Sequence, residues 1–140
     1  VWNTIVEIYN EYFEISHDDG DDTTQSEAVT EIQVVHKPAT LPDGVEEEVV
    51  LNNTRTFMAD YYAGDDHLGT YKQRVLDETS LLHINSESAT VSSCMLEEKY
   101  ITIIDYNNGQ INIFWSDKHY FYTMEGYDIA TLKDLISRIE

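Results

Sequence analysis

The stretch YITIIDYNNGQINIFWSDKHYFYTMEG, residues 100–126, decides the fold. It contains three runs of β-branched and aromatic residues, separated by NNG at 107–109 and by SDKH at 116–119. An Asn-Gly pair between two such runs is the strongest local signal of a β-hairpin, because the tight turn needs residues that tolerate positive φ. The stretch therefore predicts three consecutive antiparallel strands, whose aromatic side chains alternate between the two faces and pack across the strands.

Further β-type runs precede this stretch, and turn signals separate them. They cover residues 30–38, a run that starts near residue 47, and residues 54–62, 69–76 and 88–95. Their close and regular spacing is typical of strands that follow one another in space. We therefore expect one antiparallel β-meander over residues 30–126.

Both ends of the chain have the spacing of amphipathic helices, with apolar residues three and four positions apart. In residues 1–15 these are Trp2, Ile5, Val6, Tyr9, Tyr12 and Phe13. In residues 127–140, Asp128 is placed to cap a helix, whose apolar positions are Ile129, Leu132, Leu135, Ile136 and Ile139. Residues 16–29 form an acidic loop between the first helix and the sheet. The predicted fold is a single α+β domain, in which an antiparallel β-meander sheet is packed by an N-terminal and a C-terminal helix.

Composition limits the classes of partner. The 140 residues include 27 acidic and 8 basic side chains, for a formal net charge of −19. Because nucleic-acid binding depends on Lys and Arg neutralising phosphates, we expect no nucleic-acid partner. An anionic membrane surface is disfavoured for the same reason. The single cysteine, Cys94, excludes an internal disulfide and a zinc site built from cysteine pairs, and we expect its side chain to be buried as a small apolar residue.

Candidate catalytic and metal-binding groups are scattered. Asp65, Asp66 and His67 adjoin one another in a predicted turn, and Asp117 and His119 do so in another. Neighbouring turn residues point in different directions, whereas a hard cation needs several converging oxygens. The loop at residues 17–24 is acidic enough to attract cations weakly, but it lacks the ligand spacing of a calcium-binding loop. We predict no catalytic residue, no metal site and no cofactor.

Four segments, taken in order, resemble the bacterial family known as domain of unknown function 4367. They are KPATLPDGVEEE, YYAGDD, TYKQRVLDET and the long C-terminal segment INIFWSDKHYFYTMEGYDIATLKDLISRIE. The last is the most specific, because it contains a strand ending at Trp115, a polar turn, an aromatic strand ending at Gly126 and a helix with a Leu-x-x-Leu-Ile pattern. The resemblance covers residues 37–140, and the segment VWNTIVEIYNEYFEI also looks like the sequence that precedes such domains. The acidic loop at residues 17–24 departs from the family pattern.

The resemblance implies an extracytoplasmic domain of a Gram-positive membrane protein, with no activity that would assign catalytic residues. It suggests an anchor outside this chain, and we expect a monomer that senses or binds an unknown extracellular ligand or protein. Tyrosine density on adjacent strands nominates Trp115, Tyr120, Tyr122 and Tyr127 as ligand-binding residues, because an exposed aromatic patch marks an interaction site. One alternative is a soluble acidic interaction or inhibitor protein that covers a basic partner. A second alternative is a small secreted metal-dependent hydrolase.

Overall fold

The computed structural model describes residues 29–76 and 89–140, which form an α+β domain with a seven-stranded antiparallel sheet and a C-terminal helix. This confirms the predicted fold class for the sheet and the second helix. The strands are β1 (Val45–Asn52), β2 (Thr56–Ala63), β3 (Asp66–Val75), β4 (Thr90–Leu96), β5 (Lys99–Asp105), β6 (Ile111–Ser116) and β7 (Tyr120–Gly126), and the helix is α1 (Ile129–Ser137). The predicted helix at residues 1–15 and all but the last residue of the predicted acidic loop lie outside the described residues.

The strand order is β1-β2-β3-β7-β6-β5-β4, so the predicted single meander is wrong. Two meanders, β1 to β3 and β4 to β7, are joined by antiparallel pairing between β3 and β7. Tyr120, Phe121 and Tyr122 are buried one after another, so β7 buries both of its faces and requires a central position. Strands β1 and β4 are mostly exposed and form the two edges of the sheet.

The main core lies on the face of the sheet that α1 covers, which we call the helix face. Leu132, Leu135 and Ile136 of α1 are fully buried there, against side chains that include Tyr71 and Met124. The opposite face holds a smaller cluster of buried residues, formed by Ile104, Phe114 and Phe121. Burial on both faces explains why β5, β6 and β7 alternate little between apolar and polar residues.

Helix α1 approaches the sheet closely because two glycines face each other beneath it. Gly69 of β3 and Gly126 of β7 are direct partners across the strands. A Cβ atom added to Gly126 would lie 2.5 Å from the carbonyl oxygen of Leu68 and 2.6 Å from Cδ2 of Leu132. Leu132 therefore occupies the space that side chains at these two positions would need.

Asp128 caps the N-terminus of α1, as predicted. Its Oδ2 accepts hydrogen bonds from the hydroxyl of Thr131 at 2.6 Å and from the backbone N–H of Thr131 at 3.0 Å. These two hydrogen bonds, of which the one from the hydroxyl has the larger effect, hold the pKa of Asp128 below its ordinary value of 3.8. The ionised carboxylate is thus the form that stabilises the helix end.

We expect the stabilisation by Asp128 to depend on pH. A carboxyl group whose pKa is lower in the folded state stabilises the fold above its unfolded pKa, and this effect is lost as pH falls through the folded pKa. Asp128→Ala should therefore unfold at lower urea concentration than the parent chain at pH 7, and the difference should shrink as the pH is lowered below 3.8. Urea titrations of both chains across that range measure the difference. A difference that stays constant or grows on acidification would contradict the assignment.

The NNG segment joins β5 to β6 as predicted, but through a three-residue loop. The N–H of Tyr106 donates to the carbonyl of Gln110 at 3.1 Å, which closes the loop around residues 107–109. Asn107 and Gly109 have positive φ values of 60° and 96°, whereas Asn108 does not. The segment supplies the two left-handed positions that this hairpin needs, although they are not the adjacent pair of a type I′ turn.

Residues 30–38 do not form the predicted strand. They belong to an extended segment, residues 29–41, which lies on the helix face and which we call the strap. It makes one isolated bridge, between Pro38 and Ile139. Proline cannot donate to a ladder, and this segment is instead held from beneath by side chains of the sheet.

Several backbone N–H groups of the strap donate to the rest of the domain, and that of Ile32 donates to the carbonyl of Thr54 at 2.7 Å. The backbone N–H groups of Gln33, His36 and Ala39 each donate to a group of the domain beneath them. The acceptors are the hydroxyl of Tyr120 at 2.9 Å, Oε1 of Gln73 at 2.8 Å and the carbonyl of Arg138 at 2.8 Å. These acceptors belong to side chains and to backbone outside any ladder, so the segment is held without pairing as a strand.

Gln73 connects the strap to the centre of the sheet. Its side chain is fully buried, and Nε2 donates to the carbonyl of Val34 at 2.9 Å while Oε1 accepts from the N–H of His36. The hydroxyl of Tyr71 donates to the carbonyl of His36. The strap is therefore paired through side chains in the way that a strand is paired through its backbone.

Candidate ligand-binding cleft

Three of the four residues predicted to bind a ligand are buried in the main core. Trp115, Tyr120 and Tyr122 are 3%, 4% and 4% exposed, whereas Tyr127 is 59% exposed and lies elsewhere. They do not form the exposed aromatic patch that was predicted. The reason is that β6 and β7 are central strands, so both of their faces are covered.

Trp115 and Tyr122 stack on each other across β6 and β7. Their rings are 5.3 Å apart and inclined by 13°, and the ring of Tyr71 lies nearly parallel to both at 6.3 Å and 6.5 Å. Offset stacking of aromatic rings adds stability beyond the area that the rings bury. The stack therefore forms a rigid floor on the helix face.

Asp117 fixes the turn between β6 and β7 beside this floor. Its Oδ1 accepts from the backbone N–H groups of His119 and Tyr120, both at 2.8 Å, and its Oδ2 accepts from the hydroxyl of Tyr122 at 2.6 Å. Burial is the main reason that the pKa of Tyr122 is raised, and the charge of Asp117 and the hydrogen bond to it raise the pKa further. Tyr122 is therefore a protonated hydrogen-bond donor throughout the physiological range.

We expect Asp117→Ala to lower the free energy of unfolding by about 1 to 2 kcal/mol, because three hydrogen bonds lose their acceptor. Tyr122→Phe removes only the hydroxyl bond and should cost about 1 kcal/mol or less. Urea unfolding of the two variants and the parent measures both values. If Tyr122→Phe proved as costly as Asp117→Ala, the carboxylate would not be the centre of this turn.

A cleft of about 420 Å³ opens above the stacked rings of Trp115 and Tyr122. The strap lines one side through His36, and residues of β4 and β5, including Met95 and Lys99, line another. Its lining is mainly apolar, with charged groups at the rim. A cleft of this size and composition is typical of a small-molecule site or of a pocket for one side chain of a peptide.

Two polar side chains that line the cleft, those of His36 and Lys99, contact the backbone at the C-terminal end of the domain. Nδ1 of His36 lies 3.0 Å from the carbonyl oxygen of Glu140, and its ring packs against Tyr120 and Tyr122 at 5.8 Å and 6.2 Å. Nζ of Lys99 donates to the carbonyl of Ile139 at 3.2 Å. These contacts place polar atoms at the rim and leave an apolar floor, an arrangement that can hold a ligand by shape and by a few hydrogen bonds.

The sequence profile of the family described as Domain of unknown function (DUF4367) matches residues 35–136. The chain belongs to the DUF4367 family. The match begins within the strap and ends within α1, and it confirms the resemblance inferred over residues 37–140. No curated protein and no solved structure matches the chain.

In this DUF4367 domain Tyr127 belongs to a separate polar cluster around His67. Nε2 of His67 lies 3.0 Å from Oδ1 of Asp60 and 3.2 Å from the hydroxyl of Thr70, which also donates to Asp60. The rings of Tyr62 and Tyr127 contact the imidazole by their edges, at 5.3 Å and 5.9 Å. Sequence reasoning grouped His67 with its chain neighbours and missed this cluster, whereas cross-strand pairing of Tyr62 with His67 would have indicated it.

In the described part of the DUF4367 domain, the two groups weighed as metal ligands, residues 65–67 and Asp117 with His119, do not converge. Within residues 29–76 and 89–140, no group of three His, Cys, Asp or Glu side chains is placed to hold a metal ion. His67 turns towards Asp60, and Asp117 uses both of its carboxylate oxygens within its own turn. Among these same residues, no helix has both the length and the apolar character needed to span a membrane.

Proposed function

We propose that this domain is a non-enzymatic binding domain, and that its ligand occupies the cleft above Trp115 and Tyr122. In the full-length protein it would be anchored to the membrane and lie outside the cytoplasm. The observation that carries the proposal is the rigid aromatic floor beneath a mainly apolar cleft. Preformed apolar clefts with a few oriented polar groups are the usual form of ligand sites.

The chemistry of the cleft supports binding rather than catalysis. A nucleophile or a general base needs a free reactive atom beside an activating partner. Here Asp117 accepts three hydrogen bonds, and the raised pKa of Tyr122 keeps its hydroxyl protonated. The same groups are well suited to holding the cleft in one shape.

A fragment screen by NMR tests the cleft and does not require the natural ligand. The probe is a library of small polar and apolar fragments, added to the ¹⁵N-labelled full chain. We expect the fragments that bind to shift the indole N–H signal of Trp115 and the amides that line the cleft. Fragments that cluster at another surface, or that scatter without preference, would overturn the assignment.

Two charge reversals provide a matched comparison for this screen. Lys99→Glu changes the rim of the cleft, whereas Lys133→Glu makes the same change on α1, away from the cleft lining. We expect Lys99→Glu to alter the affinities of the cleft-bound fragments and Lys133→Glu to leave them unchanged. Equal effects of the two would mean that the fragments respond to net charge and not to the cleft.

We propose the extracytoplasmic location from the resemblance described in the sequence analysis, and it has its own test. Protease added to intact cells or protoplasts should cleave the domain in the full-length protein, while a cytoplasmic control protein stays whole. Protection of the domain until the cells are lysed would contradict this part of the proposal.

A second candidate function is the covering of a basic partner, and an acidic cleft where β1 begins and β2 ends favours it. This cleft, of about 410 Å³, is lined by Glu46, Glu48, Tyr62 and Asp65. Burial is the main reason that the pKa of Tyr62 is raised, and the nearby charges of Asp60 and Glu48 raise the pKa further. Binding of this kind would weaken steeply with added salt, and substitution of Glu46 and Glu48 by glutamine would reduce it while Lys99→Glu would not.

A further inference from the structure

The two edges of the sheet are protected very differently. Strand β1 carries Glu46, Glu47 and Glu48, and it has a bulge at Val50 where the pairing with β2 shifts by one residue. Charges and bulges are the usual means of preventing another strand from pairing with an edge. Strand β4, with the sequence TVSSCML, has no charged residue, no proline and no shift in its register with β5.

Among residues 29–76 and 89–140, nothing pairs with the outer side of β4, where its backbone groups form a continuous row. Within the part of the chain that the structure describes, β4 pairs with β5 alone. A strand of seven residues gives another extended segment several hydrogen bonds in register. The unprotected edge is therefore a template for strand addition.

Strand β4 also borders the ligand cleft, which links the two features. Met95 of β4 borders the cleft, and its side chain, 61% exposed, lies on the sheet face opposite α1, because Cys94 and Leu96 on either side of it pack on the helix face. Its direct partner across the strands, Tyr100, lines the cleft as well. In peptide recognition by strand addition, the backbone ladder supplies affinity, and a pocket beside the edge selects a side chain.

We propose that the ligand is an extended peptide segment of a partner protein, which adds to β4 as an eighth strand and places one apolar side chain in the cleft. The proposal rests on the binding function proposed above and names the class of ligand. The chain has a net charge of −19, and Glu97 and Glu98 form the turn next to Met95. This charge favours a segment with lysine or arginine on either side of the apolar residue, and it disfavours a second copy of this chain.

The test uses a displayed library of peptides about 12 residues long, which is enough to span a strand of ordinary length. Peptides that bind the full chain are selected, and their affinities are measured in solution. Each selected peptide is then synthesised with single N-methyl groups at successive residues. An added strand directs alternate N–H groups towards the edge, so methylation should weaken binding at every second residue and have little effect between. Selected peptides should also contain an apolar residue with basic neighbours.

Two variants make a matched pair for the edge. Met95→Lys places a cation on the edge strand β4, while Val50→Lys makes a similar change on β1, the opposite edge. We expect Met95→Lys to weaken the peptides about tenfold, because a cation on the edge strand opposes strand addition and repels a basic segment, and Val50→Lys to leave their affinities unchanged.

The possible outcomes separate this inference from the function on which it rests. If fragments occupy the cleft but no peptide is selected, or the methyl scan lacks the two-residue alternation, the binding function stands and strand addition is overturned. Failure of both fragments and peptides at the cleft would overturn both. Concentration-dependent dimers that Met95→Lys abolishes would replace the partner peptide with a second copy of this chain.

Discussion

Gln73→Leu should lower the free energy of unfolding by about 1 to 3 kcal/mol, because two backbone groups of the strap lose their hydrogen bonds to the fully buried amide of Gln73 at once. Leucine fills nearly the same volume, so packing changes little. The N–H of His36 and the carbonyl of Val34 then lie against an apolar side chain instead of the amide of Gln73. Urea titration gives the free energy, and hydrogen exchange at the His36 amide reports whether the strap has been released.

Gln110→Leu is the matched control for this experiment. Gln110 is exposed, and its side-chain bond, from Nε2 to Oδ1 of Asn112, is 3.3 Å long. Surface substitutions of this kind change stability by about 0.5 kcal/mol or less. If Gln73→Leu were equally mild, water would be able to replace the amide, and the strap would not depend on Gln73.

Gly126→Ala should destabilise the fold by about 3 kcal/mol, since overpacking forces backbone or side chains to move. The added methyl group would meet the carbonyl oxygen of Leu68, which belongs to the neighbouring strand and cannot turn away as a side chain can. It would also meet Leu132, which anchors α1 to the sheet. Thermal or urea unfolding of the variant measures the loss.

A double-mutant cycle with Leu132→Ala identifies the part of this cost that arises from the helix. Leu132→Ala alone should cost about 2 to 5 kcal/mol, the range for truncating a buried leucine. Because the smaller residue leaves room for the methyl group, the double variant should be less destabilised than the sum of the two single ones. Strict additivity would show that the helix does not press on Gly126.

The parts of the fold that could be predicted from the sequence are those that neighbouring residues determine. Hairpins and the capped helix are determined by neighbouring residues, so Asn107, Gly109 and Asp128 indicated them correctly. The strap was misread because its extended shape is supported by Gln73 and Tyr120, which lie far away in the sequence. The strand order depends on which strands bury both faces, and the uninterrupted aromatic run at residues 120–122 was the one sequence signal for a central β7.

The candidate site was located in part by the sequence and missed in part. Trp115 and Tyr122 do line the cleft, but as its buried floor and not as an exposed surface. Tyr127 belongs to a different place, beside His67. His36 and Met95 could not have been nominated, because they reach the cleft from the strap and from an edge strand, whose positions only the tertiary structure defines.

The position of β7 also affects how the protein is made. It follows the six other strands along the chain, yet it joins the two meanders at the centre of the sheet. During synthesis β3 therefore keeps an open edge until residues 120–126 are available, and contacts between such distant segments form slowly. The newly made chain is most prone to aggregate in this interval. Substitutions that delay the docking of β7 onto β3 should reduce the yield of folded protein even where they leave its final stability unchanged.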